Sequence, residues 1–353
     1  MVDYLVVGLG LAGISFCEQL QKNNRTFKVV SNNSQTSSIV AGGLYNPVIL
    51  KRFTLAWNAK EQLELAKPFY AALEKKLQVK LDYKVPVYRK FASIEEQNLW
   101  FEAADKIALQ PFLSTKIIKN TNNAIEAPFG FGEVLNTGRI DTNTLVKKYA
   151  EYLEGLELLE KEVFSFTDLK HTIEGVHYKS IKAKKIVFAT GYGLKSNPYF
   201  NYLPLNGTKG ELLTISAPQL KEENVIKSSV FTIPMGKSLY RVGATYKWKD
   251  KTNAPTIEAK EELLKKLDTF LKCSYHVIDH KAGIRPTVAD RRPLLGRHPE
   301  HNNMFVLNGF GSRGVMIAPY ASKVLLNHIE HNASLPKEID ISRFTKKYYT
   351  PIA

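Results

Sequence analysis

Gly8, Gly10 and Gly13 have the spacing of a glycine turn that brings backbone N–H groups against the pyrophosphate of a dinucleotide. The first glycine permits the tight turn, the second lets the backbone approach the phosphates, and the third lets a helix pack closely on a strand. An apolar run at 4–7 precedes the turn, and an amphipathic run at 12–20 follows it. This strand–turn–helix order predicts a dinucleotide at the helix N-terminus, where unpaired N–H groups and the helix dipole favour anions.

The position that usually binds the ribose carries no carboxylate in this chain. In dinucleotide folds an acidic residue about 20 residues beyond the turn binds the ribose hydroxyls. Here the second apolar run, 27–30, leads to Ser31 and Asn32. A serine hydroxyl or an asparagine amide still hydrogen-bonds a ribose, but less strongly than a charged acceptor. These residues therefore leave NAD and FAD both open.

The composition, with 44% hydrophobic and 24% charged residues, is that of an ordinary globular protein, and 353 residues are enough for two domains. No apolar run approaches the roughly 18 residues of a membrane span. The first strand begins too near the N-terminus to leave room for a signal peptide. Cys17 and Cys273 provide no disulfide framework. We therefore expect a cytoplasmic protein without a membrane span.

The chain is strongly basic, with 49 Lys and Arg against 34 Asp and Glu and a net charge of +15. Such an excess favours anionic partners, namely nucleic acids, acidic membrane surfaces, or phosphorylated and carboxylate substrates. Basic residues cluster only briefly, at 182–185 and 346–347. The alternative, that the positive charges are simply spread over the surface, stays open.

Hydrophobic periodicity indicates which elements position these residues. The pattern predicts helices over 57–79, 94–106, 141–153, 257–271 and 318–329. It predicts strands over 81–90, 163–166, 171–173, 176–179, 185–191, 211–215, 229–233, 239–246 and 304–308. A buried strand at 185–191, after an interval of other structure, indicates that one domain is assembled from separated segments. The strands of 211–246 indicate an antiparallel sheet in a second domain.

Five motifs follow one another along the chain. Four of them are Gly8-Leu-Gly10-Leu-Ala-Gly13; Ser37-Ser38 with Ala41-Gly42-Gly43; Ala189-Thr190-Gly191; and Gly283-Ile-Arg285-Pro286 with Asp290, Pro293 and Gly296. In this order the four resemble the D-amino-acid oxidase and glycine oxidase family of FAD-dependent oxidoreductases. The fifth, Gly309-Phe-Gly311-Ser-Arg-Gly314-Val-Met-Ile-Ala-Pro319, is most similar to the FAD domain of the bifunctional enzyme that makes 5-methylaminomethyl-2-thiouridine in tRNA.

The resemblance implies FAD rather than NAD, held non-covalently, and an α/β fold. It implies a discontinuous Rossmann-like FAD-binding domain of residues 1–55, 136–197 and 281–353. It also implies an α+β substrate-binding domain, built on a mainly antiparallel sheet, of residues 56–135 and 198–280.

The same resemblance assigns cofactor contacts position by position. The positions implied are Gly8, Leu9, Gly10, Leu11, Ala12, Gly13, Ser31, Asn32, Ser37, Ser38, Ala41, Gly42, Gly43, Val163, Thr190, Gly191, Gly309, Gly311, Ser312, Arg313, Gly314 and Val315. The first six would hold the pyrophosphate, Ser31 would lie near the ribose, and Val163 would meet the adenine through its backbone.

Arg285 is the residue that the resemblance assigns to the substrate carboxylate, because only arginine offers a rigid pair of donors matched to that group. The alternative is a structural salt bridge, with Asp290 as one partner. Arg313 is a second cation on the loop expected near the flavin, although the arginine of glycine oxidases would fall at Ser312.

A substrate-binding hydroxyl is also expected, but its source stays open. Amino-acid oxidases often place a tyrosine and an arginine at the positions of Phe231 and Met235. Tyr240 is the tyrosine that we predict to replace that hydroxyl. The other candidates are Tyr45, Tyr192 and Tyr246.

The chemistry implied is oxidation of the C–N bond of a carboxylate-bearing amino acid or secondary amine, by hydride transfer to flavin and hydrolysis of the imine. Two alternatives stay open: a tRNA-modifying oxidoreductase acting on carboxymethylaminomethyl-uridine, and a flavin-binding module without turnover. No metal site is predicted at Cys273, His276 and His280, because strand alternation would divide their side chains between two faces. The electron acceptor and the oligomeric state are left open.

Overall fold

The computed structural model describes residues 1–32 and 34–350. Its α-helices are α1 (Leu11–Lys22), α2 (Ser37–Val40), α3 (Ala59–Leu77), α4 (Ile94–Ala104), α5 (Thr142–Gly155), α6 (Ile257–Asp268), α7 (Gly314–His331) and α8 (Ser342–Tyr348). Short 3-10 helices lie at Phe166–Asp168 and Gly191–Ser196. Its strands are β1 (Val2–Val7), β2 (Phe27–Val30), β3 (Leu44–Tyr45), β4 (Val48–Ile49), β5 (Thr54–Leu55), β6 (Asp82–Tyr83), β7 (Val87–Lys90), β8 (Leu113–Ile118), β9 (Phe131–Val134), β10 (Gly138–Ile140), β11 (Leu159–Glu160), β12 (Leu169–Thr172), β13 (Gly175–Tyr178), β14 (Ile181–Phe188), β15 (Thr208–Ser216), β16 (Val225–Lys227), β17 (Phe231–Gly236), β18 (Leu239–Gly243), β19 (His276–Arg285), β20 (Leu294–Arg297) and β21 (Met304–Asn308).

The first sheet, which we call the parallel sheet, has the order β11-β2-β1-β14-β13-β12, and β21 pairs with both β14 and β20. Strands β11, β2, β1, β14 and β21 run parallel. Residues 4–7 of β1 are buried, as expected for a strand covered on both faces. Val7 lies opposite both Val30 and Phe188. Since carboxyl ends of parallel strands meet at one edge, the residues after these strands are brought together there.

The second sheet, which we call the antiparallel sheet, has the order β19-β15-β18-β17-β16-β7-β9-β8. Every neighbouring pair in it is antiparallel except β16 and β7. One face packs against α6, where Leu213 and Val242 share a core with Leu263 and Leu267. The predicted mixed α/β fold with a mainly antiparallel second sheet is confirmed.

The last long helix begins earlier than the pattern predicted, at Gly314 rather than residue 318. Pro319 lies inside α7 and has no N–H to donate to the carbonyl of Val315. The Tyr70 hydroxyl donates to that carbonyl oxygen at 2.9 Å instead. A contact from α3 therefore lets the helix run through its proline, and no local sequence rule anticipates such a contact.

Two strand predictions were wrong in detail. The strand predicted over 81–90 is divided into β6 and β7, with Pro86 between them. No strand covers 163–166, because the chain turns there into the 3-10 helix Phe166–Asp168. Phe164 stacks on the ring of Tyr178 at 4.4 Å between centroids, so its apolar character serves aromatic packing rather than a strand.

The predicted domain boundaries remain predictions. The boundary between 280 and 281 falls inside β19, and α3, assigned to the second domain, packs on α7. Residues 351–353 of the predicted flavin domain lie outside the described residues. Across the described chain, no helix combines the length and apolarity that a membrane crossing needs.

Candidate active site

A cavity of about 800 Å³ opens between the two sheets. The β1–α1 turn, residues 37–43 and the β21–α7 loop line it on the side of the parallel sheet. Strands β15, β17, β18 and β19 of the antiparallel sheet contribute residues on the other side. The volume is within the usual range for a ligand-binding site, which is roughly 300–1,000 Å³.

The N-terminus of α1 offers a site for an anion at one part of this cavity. Gly10 is the N-cap and has no side chain to cap the helix, and no acidic residue lies in the first turn. Ser38 Oγ accepts a hydrogen bond from the N–H of Leu11 at 3.2 Å. A Cβ on Gly13 would lie 2.0 Å from the carbonyl oxygen of Gly8, so only glycine permits this turn against the helix. The residues present therefore fit the pyrophosphate of FAD.

Ser31, Asn32, Val163 and Gly191 line the part of the cavity beyond the ends of β1, β2 and β14. Glu162, which was not among the predicted contacts, lines the cavity two residues after β11. Its carboxylate is paired with Lys179, and this hydrogen bond lowers the pKa of Glu162. The chain has no acidic residue directly after β2, but Glu162 brings a carboxylate to the cavity just after the neighbouring strand, β11. The signal that could have found Glu162 is the pair of glutamates at 160 and 162, which stand on either side of Lys161.

Most of the predicted cofactor positions line the cavity, but Gly13 and Gly309 do not. Gly13 packs beneath the turn, as described above. Gly309 has a φ of +81°, and a Cβ there would lie 2.6 Å from Cγ2 of Val288. Both glycines shape the backbone that carries the site without facing the cavity themselves.

Arg285 ends β19, and its guanidinium faces the cavity. It lies over the ring of Tyr246 at 4.4 Å and donates from Nη1 to the Thr245 carbonyl oxygen at 3.2 Å. It also packs flat on Gly210, where a Cβ would come within 2.0 Å of Nη2. Burial lowers the pKa of Arg285 below its usual value.

In the described part of the chain, no carboxylate forms a salt bridge with Arg285. Asp290, the alternative partner, accepts instead from Nε of Arg343 at 2.9 Å. The guanidinium is therefore a partly buried cation whose charge is left for a ligand.

Arg313 is the N-cap residue of α7 and lines the same cavity. Burial lowers its pKa, and the cations Arg291 and Arg292 act in the same direction. Ser312, the position at which the arginine of glycine oxidases would fall, also lines the cavity. Both positions are therefore at the site.

Tyr240 does not reach the cavity, which corrects its predicted role. It is 5% exposed, and its hydroxyl accepts from the N–H of Glu222 at 3.0 Å. Because side chains alternate along β18, Tyr240 points into the core beside α6, whereas Arg241 donates to the Ala41 carbonyl oxygen at 3.0 Å. Tyr246 is the tyrosine of this region that lines the cavity, and Phe231 lines it as well.

A buried polar network supports the segment that carries Tyr246. Glu211 is 1% exposed, and its carboxylate accepts from the N–H of Thr256 at 2.8 Å and lies 2.9 Å from Nε2 of His280. The N–H of Glu211 donates to Thr245 Oγ at 3.0 Å. Together with the hydrogen bond from the Thr245 N–H to the Glu211 carbonyl, these bonds hold the backbone at Thr245 in place. Arg285 donates to the carbonyl oxygen of the same residue.

Within residues 1–32 and 34–350, no group of three or more His, Cys, Asp or Glu side chains is arranged to hold a metal ion. His276 and His280 lie on β19, and Cys273 precedes that strand as a free thiol. His280 faces Glu211, as described above.

Comparisons with known proteins agree with this architecture. A family model described as "DAO: FAD dependent oxidoreductase" matches residues 3–327. The chain is similar to glycine oxidase from Bacillus subtilis, with 25% identity over 228 residues, which is 60% of this chain and 61% of that protein. It is also similar to the tRNA 5-methylaminomethyl-2-thiouridine biosynthesis bifunctional protein MnmC of Legionella pneumophila, with 26% identity over 204 residues, 47% of this chain and 30% of that protein. The match thus spans less than two thirds of either curated relative.

Two solved structures share the fold over nearly the whole chain. Glycine oxidase from Bacillus cereus superposes with a TM-score of 0.79 at 19% identity, covering 95% of this chain and 98% of that one. Iminodiacetate oxidase from Chelativorans sp. superposes with a TM-score of 0.76 at 17% identity, covering 97% and 98%.

Proposed function

Because the chain belongs to the DAO family of FAD-dependent oxidoreductases, we propose that it oxidises the C–N bond of an amine or amino acid that carries a carboxylate. The observation that carries this proposal is Arg285, a partly buried cation facing the cavity with no carboxylate partner in the described chain. A planar guanidinium is suited to bind a substrate carboxylate through two parallel hydrogen bonds. We assign Arg285 this role and Arg313 a supporting one.

When bound, FAD supplies the hydride acceptor. The glycine turn and the N-terminus of α1 would hold its pyrophosphate, and residues 37–43 and 311–315 would flank the flavin. Arg285 would fix the substrate by its carboxylate, which sets the position of the neighbouring carbon. Leu212, Phe231 and Ile233 would exclude water from the reacting carbon.

The described lining contains one carboxylate, Glu162, and no imidazole. Glu162 lies at the end with Ser31 and Val163, away from Arg285. We therefore propose that the substrate amine binds in its neutral form, having lost its proton to solvent. The imine that leaves the site would then be hydrolysed by water.

A second candidate substrate is carboxymethylaminomethyl-uridine in tRNA, which is itself an N-substituted glycine. The segment 246–249 favours it, because exposed aromatic and lysine side chains alternate there beside the cavity. Tyr246 is 59% exposed and Trp248 is 52% exposed. Exposed aromatic rings stack on unpaired bases, and lysines bind the phosphates.

The test is anaerobic reduction of the flavin in the holoenzyme, followed by bleaching of its visible absorbance. The panel holds glycine, sarcosine, proline, several D-amino acids, and tRNA with and without the carboxymethylaminomethyl group. Bleaching by a free amine supports the first candidate, and bleaching by the modified tRNA alone supports the second. If dithionite reduces the flavin but no member of the panel does, both candidates fail and a flavin-binding module without turnover is favoured.

A further inference from the structure

A second group of cations lines the cavity, far from Arg285 along the antiparallel sheet. Lys227 ends β16, Lys266 lies on α6, and both side chains line the cavity with Ser229 between them in sequence. Arg285 ends β19, and strands β15, β18 and β17 separate the two positions. At about 4.8 Å per strand, the four strand spacings amount to roughly 19 Å across the sheet. The register aligns Lys227 with Lys281, so Arg285 also lies four residues further along β19.

Lys227 has no anionic partner in the described chain, unlike the cations around it. Its Nζ donates to the Ser228 carbonyl oxygen at 2.8 Å and lies 4.6 Å from the centroid of the Phe231 ring. By contrast, Lys266 pairs with Glu262 at 2.7 Å and Arg89 pairs with Glu96 at 2.6 Å. An ammonium has three N–H donors, so two of those on Lys227 are left for a ligand.

The electrostatic setting of Lys227 favours an anion beside it. Burial, together with the charges of Arg89 and Lys266, lowers the pKa of Lys227 to about 8. At neutral pH the side chain is still mainly charged, but it is short of compensating negative charge. A bound anion would supply that charge and would also reduce the repulsion from Lys266.

A ligand that contacts both Arg285 and Lys227 must be longer than a simple amino acid. Glycine or sarcosine is much too short to contact Arg285 and Lys227 at once. A compact ammonium binds phosphate as a point charge, whereas the planar guanidinium matches a carboxylate. We propose that Lys227 binds a phosphate group of the substrate, distal to the amine and carboxylate that Arg285 orients. This inference rests on the proposed function and narrows its substrate to a phosphate-bearing amine.

The experiment measures binding, not turnover, by isothermal titration calorimetry on the holoenzyme. The first pair of ligands is 6-phosphonohexanoate, which carries a carboxylate and a phosphonate on a six-carbon chain, and hexanoate, which lacks the phosphonate. The second, shorter pair is 3-phosphonopropionate and propionate. We expect 6-phosphonohexanoate to bind at least tenfold more tightly than hexanoate, and 3-phosphonopropionate to show no such gain over propionate. Equal affinities for the two six-carbon ligands would overturn the proposal, and so would a full gain for the three-carbon ligand.

The matched variants are Lys227→Met, Lys227→Arg and the exposed control Lys265→Met on α6. Lys227→Met should reduce the gain to less than threefold while hexanoate binding is unchanged, and the other two should keep most of it. A loss of hexanoate binding in Lys227→Met would contradict a distal role. Heptanedioate, with a carboxylate in place of the phosphonate, tests the anion, and equal binding of the two overturns the assignment to phosphate.

The anion site and the proposed oxidation fail separately. If the phosphonate gain is present but no carboxylate-bearing amine reduces the flavin, the proposed oxidation is rejected and the anion site stands. If free sarcosine reduces the flavin rapidly and the gain is absent, the oxidation stands and the role of Lys227 is rejected.

Discussion

At the scale of single residues, the site is defined by cations that lack partners. Salt bridges are frequent on this chain, yet the two arginines of the cavity form none within the described residues. Holding a guanidinium away from water without a carboxylate is costly, and such an arrangement is typical of a binding position. Gly210 makes it sterically feasible, because any side chain there would displace Arg285.

Arg285→Ala tests the carboxylate role directly. We expect KM for the reducing amine to rise at least tenfold, since the charge-assisted bonds to the carboxylate disappear. The flavin content and visible spectrum of the variant should match wild type. Arg297→Ala, which removes an exposed arginine at the end of β20, is the matched control. An unchanged KM in Arg285→Ala would remove Arg285 from substrate binding.

Residue types and spacing identified Arg285, but not the side chains that come to the site from unrelated segments. Lys227 carries no motif, and only the pairing of β16 with β17 places it beside Phe231. Tyr240 lies on β18 and Tyr246 follows it. Tyr240 is in the core and Tyr246 lines the cavity, because side chains alternate along the strand and because β18 ends at Gly243. Such information lies in the tertiary structure, so a single sequence cannot rank these candidates.

At the scale of elements, the β1–α1–β2 unit was predictable because its signals are local. A short apolar strand, a glycine turn and an amphipathic helix follow one another within thirty residues. Asp141, the first residue of the helix predicted over 141–153, is the N-cap of α5 and accepts from the N–H of Thr144 at 3.1 Å. The start of α7 was missed because Tyr70, far away in sequence, stabilises the carbonyl that Pro319 leaves free.

Gly13→Ala tests how tightly the first unit is built. The added methyl group would lie 2.0 Å from the carbonyl oxygen of Gly8, so the turn or the helix must move. We expect at least a tenfold loss of FAD affinity, measured by reconstitution of the apoprotein with FAD. Gly155→Ala is the matched control, because a Cβ at the end of α5 meets nothing within 4 Å.

The control should bind FAD as wild type does, with its stability changed by no more than about 1 kcal/mol. Normal FAD affinity in Gly13→Ala would show that the pyrophosphate does not depend on this turn. Equal losses in both variants would instead point to a general effect of substitution on the fold.

At the scale of the whole molecule, positive charge is concentrated at the cavity, which composition alone did not reveal. The described cavity lining has five cations, Lys51, Lys227, Lys266, Arg285 and Arg313, against the single carboxylate of Glu162. A cleft lined by one sign of charge concentrates ligands of the other sign. Lys249 and Lys247, which are exposed in segment 246–249, extend this positive surface outward from the cavity, although Lys247 is also paired with Glu262 at 2.7 Å.

A nucleic-acid substrate would use that extension, and Trp248→Ala distinguishes it from a small-molecule substrate. If an unpaired base stacks on this ring, losing it should cost about 1–3 kcal/mol, or at least a fivefold rise in the Kd for tRNA. The matched control is Tyr348→Ala, which removes an aromatic side chain that is 39% exposed beside Lys346 and Lys347 but away from the cavity. Both proteins should bind tRNA less tightly as salt rises, because lysine–phosphate contacts release counterions. If the Trp248 ring stacks on a base near the cavity, the Trp248→Ala protein binds tRNA less tightly than the control at every salt concentration. Equal binding by the two variants would leave the positive charge as a general attraction and return the assignment to a free amine.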